Sequence, residues 1–82
     1  MPHIHIQHYA PSFREDVLQE LSASLVETVG RILGFGEESI SITVEPVPPE
    51  QWEKRVYEPE IAGRRQWLVK APGYGRLKED AA

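Results

Sequence analysis

The sequence predicts an α+β fold: a β-α-β unit with two parallel strands and a crossover helix, then a short second helix and a C-terminal extended segment. Three observations predict it. Two stretches alternate apolar and polar residues with period two. Between them runs a longer stretch whose apolar residues recur at spacings of three and four. Proline and glycine punctuate the ends of all three.

Residues 3–9, His-Ile-His-Ile-Gln-His-Tyr, form the first strand. Ile4 and Ile6 point one way, and His3, His5 and Gln7 the other. Ala10 and Pro11 break the pattern. Ser12-Phe13-Arg14-Glu15 then reads as a capping box, in which Ser12 and Glu15 satisfy each other's backbone amides at a helix start. Val17, Leu18, Leu21, Leu25, Val29, Ile32 and Leu33 form one apolar stripe over about five turns. Gly34 and Gly36 supply the stop. In Ser39-Ile40-Ser41-Ile42-Thr43-Val44-Glu45, Ile40, Ile42 and Val44 share one face, and Ser41, Thr43 and Glu45 the other. Pro46, Pro48 and Pro49 end this strand. Pro49 suits the first turn of a helix from Glu50 to about Tyr57, and Pro59 is expected to kink or end it. Ile61, Trp67, Leu68 and Val69 mark a further turn or two passing into an extended segment. Pro72-Gly73 reads as a turn. Strands joined by a helix of this length are most simply parallel, with a right-handed crossover.

Size limits what the chain does alone. At 82 residues it reads as a single domain over 1–82, with 76–82 as a flexible tail. So short a chain buries only about 60% of its unfolded surface. It has no cysteine for a disulfide, and a two-stranded sheet is not independently stable. Homo-oligomerisation, which completes the sheet, is the remaining route to stability. The net charge of −4, from 13 acidic and 9 basic residues, argues against nucleic acid as a partner. No apolar run approaches the roughly 20 residues of a membrane span. No charged region followed by an apolar stretch marks a signal peptide. A cytoplasmic location is therefore expected, with no membrane partner.

The chemistry begins at Met1-Pro2. Removal of Met1 exposes a secondary amine at the head of a strand. An α-amino group titrates at about 7.7–8.0, and an apolar pocket or a nearby cation lowers that value. A neutral amine near pH 7 is a usable general base. His3 and His5 share a strand face and invite a metal reading, but no third ligand is evident and His8 faces the other way. No metal is expected, and surface or subunit-contact roles suit these histidines better. Trp52 and Trp67 are equally readable as core or interface anchors. Arg55, Arg64 and Arg65 read as solvated.

Pro2-His3-Ile4-His5-Ile6, Ser39-Ile40-Ser41-Ile42, Pro49-Glu50-Gln51-Trp52, Glu60-Ile61-Ala62 and Lys70-Ala71-Pro72-Gly73-Tyr74 together resemble the 4-oxalocrotonate tautomerase family. Within it, they are most similar to the longer type found in enterobacteria. The resemblance runs from Pro2 to about Tyr74. It implies a β-α-β fold assembled as a dimer or hexamer, and a proton shuttle between the enol and keto forms of a 2-oxo acid. It implies no metal or organic cofactor. Carried over residue by residue, the catalytic base falls on Pro2, and an aromatic that closes the pocket falls on or near Trp52. The family archetype's arginine on the second strand is replaced here by Ser41. Its loop arginine falls near residues 11–14, where Arg14 is the nearest candidate without a clear match. His3 adjoins the base. Loss of the arginines favours a monocarboxylate such as phenylpyruvate over a dicarboxylate. Residues 50–74 favour a dimer over a hexamer, by analogy with the longer branch. The alternatives are a non-catalytic small-molecule-binding oligomer of the same fold, and a hydratase or dehalogenase that uses Pro2 as an acid.

Overall fold

The computed structural model describes residues 1–77. The chain forms two compact units, Met1–Val47 and the segment from Pro48 onward.

The first unit is the predicted α+β core. Strand β1 (His3–Tyr9) leads into helix α1 (Glu15–Leu33). A single 3₁₀ turn (Glu37–Ser39) then precedes strand β2 (Ser41–Val47). β1 and β2 pair in parallel, in a register running from His3 opposite Ser41 to Tyr9 opposite Val47. Side chains alternate between faces along each strand. Ile4, Ile6, Ile42 and Val44 are half-buried on one face, while His3, His5, Ser41 and Thr43 are exposed on the other. A slip of one residue would exchange the two sets, so the apolar pattern specifies the register. Val47 is the one fully buried side chain of this unit, and α1 has none.

The ends of α1 differ from expectation at one end only. The Ser12–Glu15 capping box is not formed. The helix begins at Glu15, its cap position is Arg14, and no side chain caps it there. Three residues before the first helical one, Ser12 is too far out to serve the free amides. Asp16 serves one of them instead, its Oδ1 accepting from the Val17 N–H at 3.0 Å. Arg14 grips the same carboxylate through Nε and Nη2 at 3.1 and 3.0 Å. Acidic residues in a first turn also suit the helix dipole. At the other end Gly34 caps as predicted, with φ of 80° and its N–H donating to the Gly30 carbonyl at 3.0 Å. Gly36 is extended, not left-handed, and starts the 3₁₀ turn, where its carbonyl accepts from both the amide and the hydroxyl of Ser39.

In the second unit, a 3₁₀ turn (Pro49–Gln51) passes through Trp52 into a helix of π type (Glu53–Ile61). A second 3₁₀ segment (Ala62–Trp67) follows. Pro59, expected to kink or end the helix, does not end it but lies inside the π-type segment. In an ordinary α-helix the proline ring meets the carbonyl four residues back. The wider π turn moves that carbonyl out of register with the ring. Among the described residues of this unit, Val56, Tyr57 and Leu77 are the buried side chains. The Leu77 N–H donates to Tyr57 Oη at 3.0 Å. Arg76 lies 5.5 Å over the Tyr57 ring and holds both carboxylate oxygens of Glu58 at 2.6 and 3.1 Å. Arg76 and Leu77, the first two residues of the expected tail over 76–82, make these contacts. Residues 78–82 of that tail lie outside the described residues. Among the described residues, no helix is long and apolar enough to cross a membrane.

Candidate active site

The parallel register brings the head of β1 against the head of β2. The Ser41 N–H donates to the Pro2 carbonyl at 3.2 Å, one step beyond the paired residues His3 and Ser41. Pro2 is half-buried, and Met1 before it is 93% exposed. The pyrrolidine ring already fixes φ. With its carbonyl held by β2, Pro2 keeps a defined orientation where a chain terminus usually frays.

The same serine holds the next side chain. His3 Nδ1 and Ser41 Oγ are hydrogen-bonded at 2.7 Å. Ser41 therefore grips β1 twice, through its amide on Pro2 and through its hydroxyl on His3. Further along this polar face, Glu45 Oε1 accepts from His5 Nε2 at 3.2 Å and from Gln7 Nε2 at 3.1 Å. A carboxylate only accepts, so His5 carries a proton on Nε2. The pair is partly exposed, and water screens much of its attraction.

Pro2, His3 and Ser41 are thus brought together, whereas Arg14 is not near them within one chain. It follows the far end of β1, and seven strand residues span roughly 20 Å. Its guanidinium is occupied by Asp16. Trp52 belongs to the second unit, where its Nε1–H donates to Tyr74 Oη at 3.0 Å. That unit also contains an open cavity of about 610 Å³, with Arg65 and Lys70 beside Leu68 and Val69 in its wall. Among the described residues, no three His, Asp or Glu side chains converge to hold a metal ion.

Sequence reasoning passed over Glu45 as the shared partner of His5 and Gln7, and Tyr74 as partner of Trp52. Alternation put Gln7 and Glu45 on the polar face. Which residue of β2 meets His5 and Gln7 depends on the register between strands, about which neighbouring residues say nothing.

The site is therefore a parallel β-α-β unit whose residue Pro2 is hydrogen-bonded to the second strand beside the His3–Ser41 pair. No family model matches the chain, but individual relatives do. A probable tautomerase of Xylella fastidiosa (strain 9a5c) is 38% identical over 77 residues, covering 94% of this chain and 93% of its own length. Tautomerase PptA of Escherichia coli O127:H6 is 34% identical over 74 residues, 90% of this chain and 97% of its own. Tautomerase PptA of Cronobacter sakazakii is 32% identical over the same extent. The chain belongs to the tautomerase family, a family of isomerases. The resemblance to the longer enterobacterial type agrees with the two PptA relatives.

Proposed function

We propose that the protein is a cofactor-independent keto–enol tautomerase of a 2-oxo acid such as phenylpyruvate, with Pro2 as general base once Met1 is removed. The observation that carries this reading is the Ser41 N–H bond to the Pro2 carbonyl, in a chain of the tautomerase family. A base must be held within hydrogen-bond reach of the proton it takes. The strand pairing supplies that rigidity to a residue that otherwise frays. The Pro2 nitrogen takes the enol hydroxyl proton, the carbonyl forms, and a proton returns from the same site to the adjacent carbon. No electrons leave the substrate, so no redox cofactor enters the scheme.

His3 and Ser41 are the polar neighbours available to the acid group, and neither is a fixed cation. One carboxylate and an apolar substituent suit such a site better than two carboxylates. Trp52 and Arg14 enter the proposed site only through the family resemblance. We place the enzyme in the cytoplasm, as a homodimer in preference to a hexamer. The edges of a two-stranded sheet need a partner.

The test combines intact mass with kinetics. Mass should show Met1 absent, because with Met1 retained the Pro2 nitrogen is an amide without a basic lone pair. Met1 is exposed enough for an aminopeptidase to reach it. Pro2→Ala should slow enol-to-keto conversion of phenylpyruvate about 10²–10⁴-fold. Equal rates for the two proteins would remove Pro2 from the mechanism. A halo-oxo acid should inactivate the wild type and leave its label on Pro2.

A further inference from the structure

We propose that Ser41 locks His3 in the tautomer whose proton sits on Nε2, and that this N–H receives an anionic oxygen of the substrate bound at Pro2. The second half rests on the reading of Pro2 as the base, and the first half stands without it.

The lock follows from the partners. Each neutral imidazole has one donor and one acceptor nitrogen, and the partner of one nitrogen decides the state of the other. His8 Nδ1 lies 2.9 Å from the Tyr9 carbonyl oxygen. A carbonyl only accepts, so His8 must carry its proton on Nδ1. His5 meets a carboxylate and carries its proton on Nε2. Only His3 faces a hydroxyl, at 2.7 Å. The Ser41 hydroxyl has one proton, and among the described residues no carbonyl or carboxylate accepts it. Donation to His3 Nδ1 satisfies that proton and leaves the imidazole proton on Nε2. His3 Nε2 has no hydrogen-bond partner among the described residues. Its N–H is therefore open to a ligand. It belongs to the residue next to Pro2, on a β1–β2 pair that Ser41 holds at both backbone and side chain.

A neutral N–H donor suits a single carboxylate or an enolate oxygen. It binds the acid without adding a permanent positive charge. Ser41 is then a positioning residue that acts through His3, and its amide hold on Pro2 is independent of its hydroxyl.

The test uses the ¹⁵N-labelled full chain in mildly alkaline solution. Long-range proton–nitrogen correlation spectra should show His3 with its proton on Nε2 in the wild type. In Ser41→Ala the His3 signals should move toward an averaged pattern. A wild-type His3 protonated on Nδ1 would overturn the lock. Phenylpyruvate should then shift the His3 Nε2 resonance. Binding that moves other signals but not His3 would overturn the ligand half. In kinetics, His3→Ala should raise KM about tenfold with a smaller change in kcat. His3→Gln, which keeps an N–H donor, should recover part of that loss. An unchanged KM in His3→Ala argues against the assignment. If phenylpyruvate neither binds nor reacts, the ligand half falls together with the Pro2 reading, while the tautomer spectra still decide the lock.

Discussion

Gly34 and Gly75 have almost the same φ, 80° and 73°, yet they should differ in tolerance. A Cβ on Gly34 meets nothing within 4 Å. Gly34→Ala should therefore cost only the left-handed strain, about 1–2 kcal/mol. A Cβ on Gly75 runs into the Tyr57 ring, which is itself buried. Gly75→Ala should add overpacking of about 1–3 kcal/mol to the same strain. Urea unfolding of the two variants beside the wild type checks the order, and a Gly34 variant worse than the Gly75 variant would contradict it. Ser12 and Asp16 offer a second contrast. The Val17 amide is bonded by Asp16, not by Ser12. Asp16→Ala should cost about 0.5–2 kcal/mol, as lost caps do. Ser12→Ala should stay within about 0.5 kcal/mol.

At the scale of elements, the C-terminal segment is joined to the π-type helix by the Glu58–Arg76 pair. The Arg76 hydrogen bond, aided by its charge, holds the Glu58 carboxyl below its ordinary value, against a smaller opposing effect of burial. A lowered folded-state value means that the unfolded chain binds the proton more readily. The contribution is thus present above the ordinary carboxylate range and is lost as pH falls through the lowered value. The stability gap between wild type and Glu58→Gln should be open at about pH 6 and should close as pH falls from the ordinary carboxylate range through the lowered value. Because both side chains are about half exposed, the gap should also shrink in high salt. A gap that persists at acid pH would show that the carboxylate charge is not its source.

At the scale of the whole molecule, the first unit leaves much apolar surface uncovered. Phe13, Val17, Ile32, Leu33 and Phe35 are exposed, and so are Trp67 and Val69 in the second unit. Among the described residues the sheet has two strands, each with an edge that no other described strand pairs. If a second copy covers these surfaces, as proposed, folding is linked to association and the melting temperature rises with protein concentration. Sedimentation at falling concentration should show the oligomer dissociating as stability falls. A monomer with a concentration-independent melting temperature would remove the homo-oligomer from the proposal.

The sequence by itself determined that two strands and α1 form, though not all their bounds, together with the Gly34 cap and the faces on which the histidines and isoleucines lie. Each of these depends on neighbours within a few residues, through periods of 2 and 3.6. It also determined Pro2 as the residue to examine and the tautomerase family as its kin. Only the tertiary structure decided that Ser41 grips both Pro2 and His3, that Glu45 takes His5, and that Asp16 leaves Arg14 engaged. It alone placed Pro59 within a widened helix and Arg76 and Leu77 against Tyr57. The physical reason for most of these is distance along the chain: His3 and Ser41 are 38 residues apart, and a hydrogen bond across that separation exists only once strand register is set. Asp16 and Pro59 are local, but they turn on where a helix starts and how wide it winds. The apolar stripe alone leaves both open.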